Sequence, residues 1–589
     1  MSRHIIITII AAFVTIGGAH AATVAPDSTG MTMNAHDFSR SVVMGWNLGN
    51  ALESAGADWN NATQKWTNTW VTDYNEWETG WGNPKTTKEM IMAVKKAGFN
   101  AIRIPVRWVP HVTSYSTMAV DPTWMARVRQ VVDWCLDLDM IVILNTHHEK
   151  WLELNPLYSK QDANLRKLKM LWTNIANEFR DYDQRLVFAG TNEVIDDWSL
   201  APNAEKQAVQ NSYNQTFVSA VRATGGRNYY RNLVIQTYAC SPGYGLSGLT
   251  FPEDPVKDRL SIEFHYYDPY NYCSGDIENG CYYYWGSQYS SYGSTPPGDD
   301  ERKMRNLFAQ IRNAWYEKGY GVVIGEYGVS HHVDSKATVA IKARQEENES
   351  YYVQTLVSEA RKNGFAAFVW DNNTFGNGTE KFGIFDRHSK MAISESARNL
   401  IEGISKGSTT EFQELTYTDT DPGANGTVFW SGDKALNWGS GLQLNIPASK
   451  FTAGKDSVVI VFYYRQDPSA TYDQIQVCNS AWAKLPFHVD GGQTDGDFSP
   501  RNYYGTVSGD RITAFCFKGT SLSAAKNGGI HVQGYGVNLT KVSIVTTFTG
   551  IDNITTAGTP LIYRLDGTVT STPEPGNIYI KEGKKILWK

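Results

Sequence analysis

Short apolar segments alternate with amphipathic helices between about residues 40 and 400, and this alternation constrains the fold more than any other feature. It indicates a parallel sheet whose strands are connected by helices. Eight strands in one such stretch fit a (β/α)8 TIM barrel better than a doubly wound open sheet, which usually has fewer strands and often a glycine-rich phosphate turn. The predicted strands are Val42–Trp46, Ala101–Pro105, Ile141–Asn145, Leu186–Ala189, Leu233–Gln236, Leu260–Phe264, Val322–Gly325 and Ala366–Val369.

Polar and aromatic residues follow the ends of these strands. Barrel enzymes assemble their active sites from several strands on this C-terminal face. We therefore expect these side chains to meet in one site. They are Asn47, Arg103, His147, Asn192, His265, Glu326 and Trp370.

Two glutamates at predicted strand ends, Glu326 of this set and Glu193 beside Asn192, indicate the chemistry. Glu193 ends the motif Gly190-Thr191-Asn192-Glu193, and Glu326 lies 133 positions later in Ile324-Gly325-Glu326-Tyr327-Gly328. Cleavage of a glycosidic bond uses two carboxylates that face each other across a sugar. One such glutamate alone would more simply be a salt-bridged loop residue, but the pair favours catalysis.

The two glutamates need different environments. Glu326, paired with Arg103 and a tyrosine hydroxyl, is expected to stay ionised and act as the nucleophile. Glu193, less well paired and close to that negative charge, is expected to hold its proton near neutral pH and act as the acid. Asn192 is expected to donate to the sugar 2-hydroxyl.

The run His147-His148-Glu149 invites a metal-site interpretation. Adjacent strand residues point to opposite faces, and the H-E-x-x-H spacing is missing. We therefore predict no metal and no cofactor. His147 is interpreted as a hydrogen-bonding subsite residue, His148 as its partner or a packing residue, and Trp370 as the floor of a subsite.

Charge and composition limit the partners. Lys and Arg total 54 against 60 Asp and Glu, which does not suggest a nucleic-acid surface. Aromatic residues make up 13% of the chain. Core packing, sugar-stacking surfaces or both would account for this fraction. We expect a monomer that acts on a polysaccharide.

The chain divides into four predicted regions. Residues 1–21 have the basic start, short apolar run and Ala19-His20-Ala21 pattern of a secretory signal peptide. Residues 38–404 form the barrel domain, and a linker at Ser405–Thr410 leads into a β-sandwich or jelly roll over 405–550 without a predicted helix. Residues 555–589 form a small separate tail. No transmembrane segment is predicted.

Six cysteines are too few for a disulfide scaffold in a chain of this size. Cys273 with Cys281, and Cys478 with Cys516, are either bridged or buried thiols. Their spacing leaves both interpretations open.

The order of the motifs resembles glycoside hydrolase family 5, most closely its endo-β-1,4-glucanases and xyloglucanases. The resemblance implies a retaining mechanism in a (β/α)8 barrel, with Glu193 as acid/base and Glu326 as nucleophile. One departure is Val194, where the family usually has proline. The motifs that carry the resemblance are Gly45-Trp46-Asn47-Leu48-Gly49-Asn50, Glu78-Thr79-Gly80-Trp81-Gly82-Asn83-Pro84, Ile102-Arg103-Ile104-Pro105, Asn145-Thr146-His147-His148-Glu149, Asn192-Glu193, His265-Tyr266-Tyr267, Gly325-Glu326-Tyr327-Gly328 and Trp370-Asp371. The substrate-binding residues expected around the bond are Asn47, Arg103, His147, His148, Asn192, His265, Tyr267 and Trp370.

The C-terminal part resembles, more loosely, jelly-roll modules attached to hydrolases of Bacteroidetes. Phe429-Trp430-Ser431-Gly432 and Trp482 carry this similarity. Trp430, Trp438, Tyr472 and Trp482 would either bind sugar or pack inside the module. The last segment is similar to the C-terminal sorting tails of the same bacteria, which implies export and retention at the outer surface.

The sequence therefore predicts a secreted, retaining endo-β-1,4-glucanase without a cofactor. Xyloglucan, mixed-linkage glucan and mannan remain alternative substrates for the same machinery. A catalytically idle glycan-binding surface protein is the alternative from outside the enzymes.

Overall fold

The structure, a computed structural model, describes residues 24–546 except for residue 68, parts of 276–279 and several short segments between 414 and 509. Beyond residue 546 it describes four short strands. The chain divides into two compact units between Phe412 and Gln413. The predicted signal peptide, residues 1–21, lies outside the described residues.

Eight parallel strands of the described chain close into a barrel, and each strand pairs with its neighbours in chain order. The (β/α)8 prediction is thereby confirmed. The strands are β1 Gly45–Asn47, β2 Ala101–Ile104, β3 Ile141–Asn145, β4 Leu186–Ala189, β5 Leu233–Gln236, β6 Leu260–Tyr266, β7 Gly321–Tyr327 and β8 Ala366–Val369.

All eight predicted strands are present, and β1 shows the largest change of boundary. It begins at Gly45 rather than at Val42, because Val42 caps the preceding helix and the Asn100 side chain accepts hydrogen bonds from the N–H groups of Val43 and Met44. Strands β6 and β7 extend further than predicted and carry His265 and Glu326 within them.

Helices cover the barrel and bury their apolar faces against its strands, in a core that extends from Met44 to Ile404. The segment Ser405–Thr410, predicted to be a linker, is helical as far as Ser408. Its serine, threonine and glycine residues are typical of a loop, but the helix continues into this segment, and Gly403 and Gly407 let this helix approach its neighbour closely. An added Cβ would lie 2.4 Å from Ser350 O and 2.6 Å from Gln354 O, respectively. The α-helices of this unit are Ala35–Ser41, Lys88–Lys96, Pro122–Asp137, Lys150–Glu153, Tyr158–Glu178, Ala204–Ala223, Pro242–Gly248, Tyr270–Cys273, Glu301–Ala314, Val339–Lys362 and Glu395–Ser408.

Two antiparallel sheets in the second unit bury their inner faces in one shared core. This confirms further β-sheets after the barrel. The larger sheet contains Thr427–Leu436, Val537–Val545, Ser457–Gln466, Asp510–Lys518, His488–Val489, Gly492–Gln493 and Thr506–Val507. The smaller contains Leu444–Ile446, Ile530–Tyr535, Gln474–Asn479 and Asp497–Phe498.

The second unit also contains one α-helix among its described residues, Gly519–Gly528, where the sequence analysis predicted none. Its composition of glycine, serine and alanine gives a weak helical signal. Leu522 and Ala525 fix it against the sheets.

The C-terminal tail is described by its backbone pairing alone. Its strands Ile562–Tyr563, Val569–Thr570, Ile578–Lys581 and Lys584–Leu587 form a small antiparallel sheet. The structure gives all six cysteines as buried thiols, so neither proposed disulfide is present. Within the described residues, no helix combines the length and apolarity that crossing a bilayer requires.

Candidate active site

Glu193 and Glu326 meet at the C-terminal face of the barrel. Glu326 lies in β7, and Glu193 lies in the loop that follows β4. With His265 of β6 they form a group in which one ligand atom from each residue lies within 4.8 Å of the others. The Glu326 side chain is 8% exposed and that of Glu193 is 27% exposed, so the two carboxyls have different access to water.

Two donors hold the Glu326 carboxylate. Arg103 Nη1 donates to Oε1 at 3.0 Å, and the Tyr267 hydroxyl donates to Oε2 at 3.2 Å. The expected pairing with an arginine and a tyrosine is therefore present. Burial nevertheless raises the pKa of Glu326 above its ordinary value, although His265 and Arg103 oppose that shift. The environment keeps the carboxylate fixed without making it strongly acidic.

Glu193 has a different partner. His265 Nδ1 lies 2.7 Å from Glu193 Oε1 and 3.6 Å from Glu326 Oε2. The imidazole is therefore placed between the two glutamates. A proton at Nδ1 is within hydrogen-bonding reach of Glu193, the more exposed of the two.

Arg103 organises the floor of the site. Its side chain is completely buried, and its guanidinium contacts Glu326, Asn47 Oδ1 at 3.0 Å, Asn192 Oδ1 at 2.7 Å and Glu263 Oε1 at 2.9 Å. Burial opposes its charge, but Glu263 and Glu326 hold the pKa of Arg103 above its ordinary value. A permanent cation thus links residues from five strands or strand ends.

Asn47 lies beneath the site rather than in the cleft. It is completely buried, and its Nδ2 donates to Gly325 O at 2.9 Å while its Oδ1 accepts from Arg103. Both ends of the amide are therefore occupied by the protein. This geometry suits positioning of Arg103 better than the sugar contact predicted for Asn47.

The remaining predicted residues form one wall. Asn192 Nδ2 and His147 Nε2 lie 3.3 Å apart, and the His147 ring lies nearly parallel to Trp370 with centroids 6.0 Å apart. Burial and neighbouring positive groups lower the pKa of His147 and of His148 well below the ordinary value, so both are neutral imidazoles near pH 7. His148 contacts the edge of Trp81, an indole that is 40% exposed.

Sequence reasoning missed the buried polar residues behind this wall. Glu263 and Gln236 occupy the barrel interior, joined by a 2.8 Å hydrogen bond from Gln236 Nε2 to Glu263 Oε2. The Cys240 sulfhydryl donates to Asn192 O at 3.3 Å. A usable signal existed for Glu263, because it precedes His265 by two positions on one strand and such residues share a face.

The group Glu193, His265 and Glu326 could also supply three ligands to a cation. Its atoms are already joined in a hydrogen-bonded arrangement that includes Arg103 and Tyr267. A buried guanidinium 3.0 Å from the Glu326 carboxylate occupies one coordination direction and repels a second cation. The arrangement suits acid–base and nucleophilic chemistry on a neutral substrate.

The known proteins that this chain resembles are glycoside hydrolases that cleave β-glucans. The Cellulase (glycosyl hydrolase family 5) family matches residues 60–376. A xyloglucan-specific endo-β-1,4-glucanase of Bacteroides ovatus is 33% identical over 391 residues, which are 64% of this chain and 72% of that protein. Endoglucanase A of Clostridium longisporum is 35% identical over 60% of this chain and 62% of its own length. The crystal structure of a GH5 xyloglucan-specific β-1,4-glucanase from a ruminal metagenomic library has a TM-score of 0.57 and 33% identity, over 65% of this chain and 98% of the other.

Proposed function

The chain belongs to glycosyl hydrolase family 5, and on that premise we propose that it is a secreted endo-β-1,4-glucanase that cleaves β-glucan backbones with retention of anomeric configuration. The observation that carries the mechanism is the separation of the two glutamates. Oxygens within 4.8 Å match the spacing of about 5 Å that retaining glycosidases use, whereas inverting enzymes leave room for a water at roughly 6.5–9.5 Å.

In the first step, Glu326 attacks the anomeric carbon as the C1–O bond to the leaving sugar breaks. Glu193 gives its proton to the departing oxygen, and a covalent glycosyl-enzyme ester forms at Glu326. In the second step, Glu193 takes a proton from water, and the water oxygen displaces the ester and restores both carboxyls. Arg103 and Tyr267 hold Glu326 on line for attack.

The other site residues have supporting roles in this proposal. Asn192, with His147 and His148, forms the polar part of the wall that orients the sugar, and Trp370 supplies its aromatic part. His265 connects to Glu193, and Asn47 fixes Arg103.

Xyloglucan is the main alternative substrate, since two of the similar proteins, the Bacteroides ovatus enzyme and the enzyme from the ruminal metagenomic library, are described as xyloglucan-specific. The test is a panel of carboxymethylcellulose, xyloglucan, mixed-linkage glucan and mannan, with products separated by size. We expect the highest kcat/KM on an unsubstituted β-1,4-glucan and a mixture of oligosaccharide lengths early in the reaction. Faster hydrolysis of xyloglucan would transfer the proposal to xyloglucanase activity, and no reducing sugar from any substrate would reject it.

Export is part of the proposal, based on the sequence features of residues 1–21 and 555–589. Expression in the source organism, followed with an antibody against the barrel, would test it. Protein in the medium or on the outer cell surface is expected, and protein confined to the cytoplasm would contradict it.

A second candidate function concerns the smaller sheet of the second unit, for which we propose β-glucan binding. Trp482 is 46% exposed and packs on His531 with ring centroids 4.5 Å apart. On the same sheet, Gln533 donates to Gln476, which in turn donates to Asp497. An exposed aromatic ring beside ordered amides suits a pyranose, which has an apolar face and hydroxyl edges.

Binding of the E326Q chain to insoluble cellulose would test this second candidate, with Trp482→Ala added. We expect at least a severalfold loss of retention. Val428→Ala is the matched control, because Val428 is 55% exposed on the larger sheet. Equal retention of all three chains would favour a bracing or attachment role.

The other three aromatic residues named as candidates for sugar binding are less suited to a test. Trp430 and Trp438 are half-buried, and Tyr472 lies outside the described residues.

A further inference from the structure

A third glutamate, Glu263, lies completely buried beneath the two proposed catalytic glutamates. Its Oε1 is 2.9 Å from Arg103 Nη2 and 3.3 Å from His265 Nε2, and its Oε2 accepts a 2.8 Å hydrogen bond from Gln236. A buried carboxylate is costly unless it is paired and hydrogen-bonded. The chain supplies this one with an arginine, an imidazole and an amide.

The neighbouring strand is shaped around Glu263. A Cβ added to Gly325 would lie 1.8 Å from Glu263 Oε1 and 2.6 Å from Glu263 Cδ. The glycine before Glu326 therefore provides the space that the Glu263 carboxylate occupies. Glu263 is thus built into the same part of the barrel that positions the proposed nucleophile.

His265 has a carboxyl group beside each ring nitrogen, which limits the arrangements that its protons can take. Nδ1 lies 2.7 Å from Glu193 Oε1, and Nε2 lies 3.3 Å from Glu263 Oε1. A neutral imidazole donates from one nitrogen only. When Nε2–H donates to Glu263, Nδ1 either accepts the proton of Glu193 or carries a second proton itself, and in both cases one proton is shared between Glu193 and His265.

The surroundings of His265 favour that additional proton. Burial opposes a charge on the ring, but the Glu326 carboxylate and the hydrogen bond with Glu193 raise the pKa of His265 well above its ordinary value. Burial raises the pKa of Cys240 to about 12, so this sulfur is a neutral thiol and the carboxylates supply the negative charge. The titratable and charged groups around His265 and Glu263 are Glu193, Cys240, Glu326, Arg103 and His147.

We propose that Glu263 is a positioning residue that keeps a proton on the His265–Glu193 pair and so keeps Glu193 ready to protonate the leaving oxygen. It acts through His265 and does not touch the sugar. Its place resembles that of the buried aspartate that orients the histidine of a hydrolase triad. The inference rests on the proposed function, in which Glu193 is the acid.

The test compares two substrates of the full-length chain and its Glu263→Gln variant across pH. Glycosylation by 2,4-dinitrophenyl β-cellobioside needs no proton on the leaving group, whereas phenyl β-cellobioside needs one. Removing the negative charge of Glu263 makes the shared proton easier to lose. We therefore expect the alkaline limb of kcat/KM for the phenyl substrate to move to lower pH by about one unit or more.

The two substrates should also lose activity unequally. At the optimum pH, kcat/KM for the phenyl substrate is expected to fall by about 10–100-fold and to fall much less for the dinitrophenyl substrate. An unmoved alkaline limb with equal losses on both substrates would overturn the proposal, because a merely structural role predicts that result. A wild-type chain that cleaves neither glycoside would instead reject the proposed function itself.

Two further variants separate charge from packing. Glu78→Gln removes a charge from another completely buried glutamate, one that is paired with Arg127, and should leave the alkaline limb in place. Glu263→Asp keeps the charge but moves it away from His265. The alkaline limb of this variant should therefore move to lower pH as well, but by less than in Glu263→Gln. If thermal melting shows that Glu263→Gln is unfolded, Glu263→Asp decides, and a wild-type limb in that variant overturns the proposal.

Discussion

Glu193 and Glu326 bring carboxylate oxygens within 4.8 Å of each other although 133 positions separate them in the chain. Their strands, β4 and β7, are not neighbours in the barrel. Both carboxyls reach the centre of the C-terminal face because parallel strands end on the same side. His265 and Arg103 then fix their relative placement, and four predictions follow from this geometry.

Glu326→Gln should abolish hydrolysis of carboxymethylcellulose, because an amide cannot form the glycosyl ester. We expect kcat to fall by more than about 10⁴-fold. Reducing-sugar release measures the loss, and a melting curve like that of the wild type shows that the fold is intact. Near-normal turnover in a clean preparation would remove Glu326 from the mechanism.

Glu193→Ala should retain the first step on an activated aryl glycoside and stall at the ester, since no base activates water. Added azide, which needs no base, should restore turnover and yield a β-glycosyl azide. Product NMR identifies the anomer. An α-glycosyl azide would be incompatible with double displacement.

Tyr267→Phe should move the acidic limb of kcat/KM to higher pH. The hydroxyl donates to Glu326 Oε2 at 3.2 Å and stabilises the ionised form, so its loss raises the pKa of Glu326 further. Since the ionised form is the proposed nucleophile, more alkaline solution should then be needed for activity. A hydrogen bond to a charged group contributes about 1.5–3 kcal/mol, which corresponds to a loss of about 10–100-fold in kcat/KM.

The control for that pH profile is Tyr266→Phe. Tyr266 is the residue before Tyr267, and its ring packs against Phe308 of the helix Glu301–Ala314. Its acidic limb should match that of the wild type. Coincident limbs for all three proteins would show that Tyr267 does not tune Glu326.

Gly325→Ala should destabilise the barrel and inactivate the enzyme together. The new methyl would overlap Glu263 Oε1, and overpacking of this kind costs about 1–3 kcal/mol. Urea unfolding measures the change in the free energy of unfolding. Gly243→Ala is the matched control, because its Cβ would lie 3.9 Å from Ser241 Oγ, and alanine at this helical position should be neutral or stabilise by up to about 1 kcal/mol. Equal stability of the two variants would show that Glu263 does not need this space.

The sequence predicted the barrel and the meeting of its strand-end residues because buried parallel strands are continuous apolar runs. Arg103, His265 and Glu326 could thus be placed on one face before any coordinates. Burial beneath the face was harder to foresee. Asn47 follows its strand like a substrate-binding residue, yet its amide is occupied by Arg103 and Gly325.

Close packing explains the other differences. Glu263 shares a strand face with His265, but the strand pattern does not indicate that Arg103 and Gln236 are its other partners. Gly407 lies in the segment predicted to be a linker, although it allows two helices to approach closely. Such features depend on what the neighbouring element presents. The residues of the neighbouring element lie far away in the sequence, so the pattern of one segment does not reveal which contacts it makes.

The most direct test of the account is the configuration of the product at the moment it is released. ¹H NMR of cello-oligosaccharide hydrolysis, recorded within the first minutes and before mutarotation, reports the anomeric proton of the new reducing end. Double displacement by Glu326 and Glu193 predicts that the β anomer appears first and the α anomer grows in later. Initial formation of the α anomer would contradict the mechanism.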